Sequence, residues 1–282
     1  MNLFCQEDSF REGLIQLINS SIVGLEKDEL NDIYDFWKRT FNEDSLTSES
    51  PVKVVVNKKL VSPQQNISET SFLSGIDLPV WFGDIKSKKK VFIIGIDPLR
   101  NERTFNGFKA DKNVDVVIGT PYAVHQKNAR TKNTKHYWGL IDKLSAEGNF
   151  VYLTDIYKTF FYTDSTKKER SYNYFNRVAK TAEHIQLLKK ELDLIKPDLI
   201  LLFGAETFRQ LFATKYAPRV TSELNNTIAY FGENKIPVLP MVHLSGSTRK
   251  NNILNFLGNN NVTYTNTKNY GQHYYDVIKP YL

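Results

Sequence analysis

The sequence predicts an α/β protein: a three-layer α/β/α sandwich built around a central, mostly parallel sheet of four strands. After Lys90 the chain alternates short apolar runs with longer amphipathic stretches, and each run is apolar throughout. Strands of this kind are typical of a parallel sheet that helices cover on both faces. The four predicted strands are residues 91–96, 150–153, 199–203 and 238–241.

Helical periodicity is clear in four segments of the chain. Apolar residues recur every three or four positions in residues 182–195, and a shorter helix is predicted for residues 205–212. Near the N-terminus, residues 10–18 and 30–37 show the same spacing. These segments predict helices that bury one face each.

The change in pattern along the chain also predicts how it is divided. We expect residues 1–85 to form a helical N-terminal extension that packs on the core. Residues 86–282, which contain all four predicted strands, form the α/β domain.

The composition limits the kinds of site that the chain can hold. It has 282 residues, 41% of them hydrophobic, which is enough for a large core without disulfides or metal. Cys5 is the only cysteine, so a disulfide framework, a four-cysteine zinc site and a cysteine-ligated iron–sulfur cluster are excluded. We expect no metal, no cofactor and a monomer in the reducing cytoplasm. No apolar run approaches the roughly 20 residues that span a bilayer, so we expect a soluble protein without a membrane partner.

Basic charge is concentrated outside the first 50 residues. Residues 1–50 hold 11 acidic and 4 basic residues, whereas the rest of the chain holds 20 acidic and 33 basic residues. Between Pro121 and Trp138 there are four basic side chains, several aromatic ones and no acidic one. Such a stretch suits contact with a phosphate backbone, and it equally suits an ordinary solvated loop.

Polar residues follow three of the predicted strands. Gly-Ile-Asp-Pro at residues 95–98 ends the first strand, Thr-Asp-Ile-Tyr-Lys at 154–158 ends the second, and His-Leu-Ser-Gly-Ser at 243–247 follows the fourth. Because the carboxyl ends of parallel strands meet at one edge of the sheet, these clusters are predicted to converge there.

Together and in this order, the clusters resemble the motifs of the uracil-DNA glycosylase superfamily. The family's first motif is Gly-x-Asp-Pro or Gly-x-Asn-Pro, as at residues 95–98, and its last is His-Pro-Ser, which residues 243–245 resemble. Residues 197–205 are similar to the family's penultimate strand and glycine turn. The resemblance covers roughly residues 90–255. It implies a uracil-DNA glycosylase-like fold and a monofunctional DNA glycosylase, which flips a base out of DNA and hydrolyses its N-glycosidic bond.

The resemblance also assigns two catalytic residues. Cleavage of a glycosidic bond develops positive charge on the sugar and negative charge on the departing base. Asp97 is expected to orient or deprotonate the attacking water and to stabilise the sugar cation. His243 is expected to donate a hydrogen bond to the base carbonyl, for which a neutral imidazole suffices. This chemistry requires no metal.

A base pocket is implied beside these residues, lined by Gly95 and Ile96 and closed by an aromatic side chain. In the family that aromatic often lies in a Gly-x-Pro-Phe context, to which Gly-Thr-Pro-Tyr at residues 119–122 is similar. We assign the wall to Tyr122, with Phe108 as the alternative. Tyr122 follows the aspartate of the first motif by 25 residues, which is longer than usual and implies a looped-out insertion.

The strand ends and the basic stretch supply the predicted DNA contacts. Small hydroxyl side chains and backbone amides suit phosphates, and a basic residue after the last motif is expected to enter the duplex. The predicted DNA-binding residues are Pro98, Ser245, Ser247, Arg249, Lys250, Lys127 and Arg130.

Asp155 departs from the family, which typically has an asparagine at this position to read the base. An asparagine amide can pair with uracil, whereas an ionised aspartate can only accept hydrogen bonds and therefore favours the amino group of a cytosine-type base. The predicted substrate is a damaged or phage-modified cytosine, which would make the enzyme a defence factor. In the alternative interpretation, Asp155 only caps the following helix.

Three other functions remain open. The chain could be a repair glycosylase for uracil, a catalytically silent DNA-binding module, or a nucleoside-processing α/β enzyme. The last is disfavoured because the sequence contains no Gly-x-Gly-x-x-Gly or Walker motif.

Overall fold

The computed structural model describes residues 4–5, 10–21, 27–43, 50–52, 72–87, 89–96, 116–162, 181–214, 229–245 and 248–282. The strands in these ranges are β1 (Ser50–Val52), β2 (Phe72–Asp77), β3 (Val80–Phe82), β4 (Lys90–Gly95), β5 (Val116–Gly119), β6 (Phe150–Asp155), β7 (Thr159–Tyr162), β8 (Leu199–Phe203), β9 (Ala229–Phe231) and β10 (Ile236–Met241). The helices are α1 (Arg11–Ser21), α2 (Lys27–Thr40), α3 (Lys135–Ala146), α4 (Thr181–Ile195), α5 (Ala205–Phe212), α6 (Lys250–Asn259) and α7 (Tyr270–Ile278). A 3₁₀ turn (Pro121–Ala123) and a π-helical turn (Ala129–Asn133) precede α3.

The central sheet has the strand order β3-β6-β4-β8-β10-β9. Its four inner strands are parallel and correspond to the four predicted ones, which confirms the α/β class and the mostly parallel core. They are apolar along their length because both faces are covered, and every residue of β6 and β8 is buried. The sheet is wider than predicted, because the short antiparallel strands β3 and β9 extend its two edges.

A second sheet, with the order β1-β5-β2-β7, was not predicted. In it β2 pairs parallel with β5 and antiparallel with β7. Because β1, β2 and β3 lie before residue 85, the N-terminal part is not only helical, and β3 belongs to the central sheet. The division of the chain near residue 85 stays a prediction.

Helices cover both faces of the central sheet. Tyr152 of β6 points to one face, where its hydroxyl donates to Glu191 of α4 at 3.1 Å. Phe203 of β8 points to the opposite face, where its ring stacks on Tyr274 of α7. Helix α1 packs beside α4, and α3 packs along α7, so the layers are helix, sheet and helix.

Helix α2 runs past the β3 edge and contacts both sides of it. Tyr34 packs against Trp81, while Phe41, just after the helix, packs against Phe82, the next residue of β3. Successive strand residues point to opposite faces, so α2 and the residues after it reach around the edge of the sheet. No helix in the described part of the chain is both long enough and apolar enough to cross a membrane.

Candidate active site

The carboxyl ends of the parallel strands converge on one edge of the sheet. Gly95 ends β4, Asp155 ends β6, Phe203 ends β8, and His243 follows β10. The order of the parallel strands reverses between β4 and β8, since β4 lies between β6 and β8. In open α/β sheets, ligands bind at such a switch point.

Gly95 and Asp155 lie side by side at this edge. They are partners in the register of β4 and β6, and the Asp155 side chain is buried. A Cβ atom on residue 95 would overlap Oδ1 of Asp155 and would lie 3.2 Å from the hydroxyl of Tyr122. The glycine therefore makes room for the carboxylate.

Tyr122 forms the aromatic part of the edge. Its ring stacks on Tyr137 of α3 with ring centroids 3.9 Å apart and an interplanar angle of 13°. Tyr122 and Ala123 both have a positive φ, 57° and 51°, which is a strained conformation for residues with a side chain. Burial and the nearby Tyr137 and Asp155 raise the pKa of Tyr122 well above its ordinary value. Tyr122 is therefore a neutral phenol held in an unusual backbone conformation.

His243 lies at the other end of the aromatic pair. Its Nδ1 is 2.6 Å from the hydroxyl of Tyr137, which also accepts a hydrogen bond from the backbone N–H of Leu244 at 3.1 Å. The Nε2 side of the ring lies against Gly204, where a Cβ atom would overlap it. Gly204 has a φ of 92°, which also favours glycine. Burial lowers the pKa of His243 below 6.5, so the imidazole is neutral at pH 7.

These contacts form one continuous set, which we call the edge cluster: Asp155, Gly95, Tyr122, Tyr137, His243 and Gly204. A family model described as the uracil DNA glycosylase superfamily matches residues 82–261, which include the whole cluster. The chain belongs to this superfamily. Comparison with curated proteins gave no match.

Several residues assigned from the superfamily motifs lie outside the described residues: Asp97, Pro98, Phe108 and Ser247. Their roles therefore stay predictions. Ile96 is described and half-buried, and its carbonyl accepts a hydrogen bond from the N–H of Tyr157 at 3.0 Å. That bond joins the first superfamily motif to the turn that follows β6.

The segment after His243 leads into α6. Ser245 Oγ lies 3.1 Å from Thr248 Oγ1, and α6 begins at Lys250. Arg249 and Lys250 are exposed, whereas Lys127, on the other predicted DNA segment, is half-buried. Exposed cations at a helix N-terminus are suited to an anionic ligand such as a phosphate.

Arg130 does not fit the predicted DNA surface. Its side chain is buried, its guanidinium donates to the carbonyls of Val124 and Phe41, and it lies 3.6 Å from the centroid of the Phe41 ring. Burial lowers its pKa to about 10, so it remains charged at pH 7. The basic stretch showed the charge of Arg130 and not its partners, one of which, Phe41, lies 89 positions away in the chain. We therefore remove Arg130 from the DNA contacts.

A buried ion pair lies behind Asp155. Nζ of Lys158 is 2.6 Å from Oε1 of Glu191, 2.5 Å from the carbonyl of Asp155, and in contact with Oγ1 of Thr154. Oε2 of the same glutamate accepts from the hydroxyl of Tyr152. The lysine of the Thr-Asp-Ile-Tyr-Lys segment therefore anchors the turn that carries Asp155.

Tyr137 and Phe203 are parts of the edge that sequence reasoning did not assign. Phe203 was recognised only as a strand residue, and Tyr137 only as one aromatic of a basic stretch. Tyr137 meets His243 across 106 positions of sequence, so no local pattern could connect them. Among the described residues, no group of three or more histidine, cysteine, aspartate or glutamate side chains could hold a metal ion.

Proposed function

We propose that the protein is a monofunctional DNA glycosylase that flips a pyrimidine-type base out of DNA and hydrolyses its N-glycosidic bond. The edge cluster is the observation that carries this proposal. It combines a carboxylate, an aromatic pair and a neutral imidazole at the switch point of the sheet, in a member of the uracil DNA glycosylase superfamily. The product is an abasic site in DNA.

Two groups divide the chemistry in this proposal. Asp97, two positions after Gly95, orients or deprotonates the attacking water and stabilises the positive charge on the sugar. His243 donates from its imidazole to the base carbonyl as that oxygen becomes negative. Its lowered pKa is compatible with this role because a neutral ring keeps one N–H that can donate.

The flipped base must stack on a flat surface once it leaves the duplex. Tyr122 is the proposed wall, and because Tyr137 covers one face of its ring, only the opposite face can receive the base. Gly95 and Ile96 form the floor of this pocket, and Phe108 stays the alternative wall.

Asp155 is proposed to read the exocyclic amino group of a cytosine-type base. Its buried carboxylate lies against Gly95, close to the Tyr122 hydroxyl. A carboxylate accepts from an amino group and repels the O4 carbonyl of uracil. Since ordinary cytosine must be spared, the substrate is a damaged or phage-modified cytosine, and the enzyme acts in defence against phage.

The DNA backbone is proposed to cross the start of α6. Exposed Arg249 and Lys250, with Ser245, follow His243 in the sequence, and Lys127 is proposed to extend the contact along the basic stretch. Pro98 and Ser247 complete the proposed contacts. The protein is proposed to bind DNA as a monomer.

The decisive experiment is base release from three DNA substrates: unmodified, uracil-containing and phage-modified. Released bases are identified by mass, and abasic sites by alkaline cleavage. We expect release of a modified cytosine, with a loss of roughly a hundredfold or more in both Asp97→Asn and His243→Ala and near-normal DNA affinity.

Each alternative predicts a different result. Release of uracil alone would indicate a repair glycosylase, and DNA binding without release of any base would indicate a silent module. Hydrolysis of free nucleosides without action on DNA would indicate a nucleoside-processing enzyme. If His243→Ala lowers the melting temperature sharply, the imidazole is a structural part of the core, and this result would contradict its proposed catalytic role.

A further inference from the structure

The hydroxyl of Tyr137 contacts two groups of the segment that follows β10. It accepts a hydrogen bond from the backbone N–H of Leu244 at 3.1 Å and lies 2.6 Å from Nδ1 of His243. Burial raises the pKa of Tyr137, so this hydroxyl keeps its proton at pH 7. The proton needs an acceptor because the group is buried.

The position of that proton determines which nitrogen of the neutral imidazole carries its hydrogen. Among the described residues, Nδ1 of His243 is the one acceptor that the Tyr137 hydroxyl contacts. If the hydroxyl donates to Nδ1, that nitrogen carries no hydrogen, and a neutral ring must carry its hydrogen on Nε2. The reverse bond would leave the phenol hydrogen without an acceptor in the part of the chain that the structure describes.

We propose that Tyr137 is a positioning residue that sets the tautomer of His243, keeping Nδ1 as an acceptor and Nε2 as the hydrogen-bond donor. This inference rests on the proposed function and specifies Nε2 as the nitrogen that donates to the base carbonyl. A neutral histidine in the other tautomer would present a lone pair to the base carbonyl and would repel it as negative charge develops.

Tyr137 also links the donor to the base wall. Its ring stacks on Tyr122, and its edge packs on Phe203 at the end of β8. One side chain therefore fixes both the aromatic wall and the orientation of His243. Gly204 completes the support, because its missing Cβ leaves room for the imidazole.

The test uses Tyr137→Phe, which keeps the stacked ring and removes only the hydroxyl. Its matched control is Tyr274→Phe. Tyr274 is buried in the same aromatic cluster, stacks on Phe203, and has a hydroxyl with no hydrogen-bond partner among the described residues. Both substitutions thus remove one buried oxygen from the same region, and only one of them contacts His243.

The first measurement is the pair of imidazole nitrogen shifts of His243 in ¹⁵N-labelled protein without DNA. In the wild type and in Tyr274→Phe we expect a pyridine-type Nδ1 and a pyrrole-type Nε2. In Tyr137→Phe we expect a mixture of the two tautomers. A pyrrole-type Nδ1 in the wild type, or unchanged shifts in Tyr137→Phe, would overturn the inference.

The second measurement is single-turnover base release. The probes are oligonucleotides with one uracil or one 5-hydroxymethylcytosine, and the one that the wild type cuts faster is used. Loss of one hydrogen bond should slow release about tenfold or more in Tyr137→Phe, with DNA affinity and the Tyr274→Phe rate unchanged. Equal rates in the two variants would also overturn the inference. The expected shifts without release from either oligonucleotide would support the tautomer assignment and count against the proposed function.

Discussion

At the scale of single residues, Asp155 is proposed to determine which hydrogen-bonding atoms meet the flipped base. Asp155→Asn changes few atoms and adds a donor, while Lys158 still binds the backbone carbonyl of residue 155. We expect discrimination to shift towards uracil by about 1–3 kcal/mol, or roughly ten- to a hundredfold, because the amide pairs with O4 and faces the cytosine amino group with a donor. The measurement is the ratio of single-turnover rates on uracil and on the preferred base.

A fixed ratio with a fall in both rates would show that Asp155 positions the turn and does not read the base. A fall on one base alone, with no gain on uracil, would show that the pocket excludes uracil by another contact. The wild type measured on the same two oligonucleotides is the reference for both outcomes.

His243 gives a prediction about pH. Burial lowers its pKa in the folded protein, so below pH 6.5 the unfolded chain takes up a proton before the folded protein does. The folded state therefore loses stability at this site as the pH falls through 6.5. We expect the wild type to lose more unfolding free energy than His243→Gln on acidification, measured by denaturant titration at several pH values. Parallel curves would show that the imidazole titrates normally.

The residues of the site differ in how far the sequence could reveal them. Gly95, Asp155 and His243 were found because each ends or follows an apolar strand, and their order matched known motifs. The exclusion of a side chain at Gly204 and the bond from Tyr137 to His243 depend on contacts between distant segments. Arg130 was misassigned because its charge is visible in the sequence, whereas the carbonyls that it binds become neighbours only after folding.

At the scale of secondary-structure elements, the turn after β6 is held against α4 by a buried cation. Lys158 uses its three donors on Glu191, Thr154 and the carbonyl of Asp155. Lys158→Met should cost about 3–5 kcal/mol, because it leaves the buried carboxylate of Glu191 uncompensated. Base release should fall as well, since the turn that carries Asp155 loses its anchor. Denaturant unfolding and single-turnover kinetics measure the two effects.

The matched control is Lys143→Met, which breaks the exposed ion pair between Lys143 of α3 and Glu147, the residue that follows the helix. Exposed pairs contribute about 0–1 kcal/mol, so this change should be nearly neutral. The double variant Lys158→Met, Glu191→Gln should recover part of the loss, because no unpaired charge remains. Equal costs for the two lysine substitutions would show that the buried pair does not anchor the turn.

The elements themselves were predictable where burial imposes a pattern. The four inner strands are mostly apolar because helices cover both faces, so their positions could be inferred from the pattern of apolar residues. The edge strands β3 and β9 have three residues each, which is too short to show a period. Helix α6 contains four asparagines, which form helices poorly, and α7 packs closely on α3 through Gly271. Tertiary contacts stabilise these two helices, so the local sequence alone does not predict them.

At the scale of the whole molecule, helix α2 supports the segment that carries the proposed base wall. Trp37 of α2 packs on His125 with ring centroids 4.8 Å apart, and Nδ1 of that histidine lies 2.9 Å from Oγ1 of Thr120. In the sequence, Tyr122 and Ala123 lie between Thr120 and His125. Their positive φ values cost on the order of 1–3 kcal/mol each. Contacts with α2 help to offset this strain, although α2 lies outside the matched residues 82–261.

Arg130→Met tests this connection between the N-terminal helices and the site. The methionine fills similar space but leaves the carbonyls of Phe41 and Val124 without their donor, at about 1–3 kcal/mol for each group. The melting temperature should fall by roughly 2–4 °C per kcal/mol, and base release should slow because Tyr122 is held less firmly. Calorimetry and single-turnover kinetics give the two values.

Lys132→Met is the control, since Lys132 lies in the same π-helical turn and is exposed. It should leave the melting temperature unchanged. The salt dependence of DNA affinity separates the structural role of Arg130 from its originally predicted contact with DNA, because loss of one phosphate contact reduces the slope of log affinity against log salt by about one. A buried support predicts an unchanged slope in Arg130→Met together with a lower melting temperature. A shallower slope at an unchanged melting temperature would return Arg130 to the DNA surface and remove the link between α2 and the base wall.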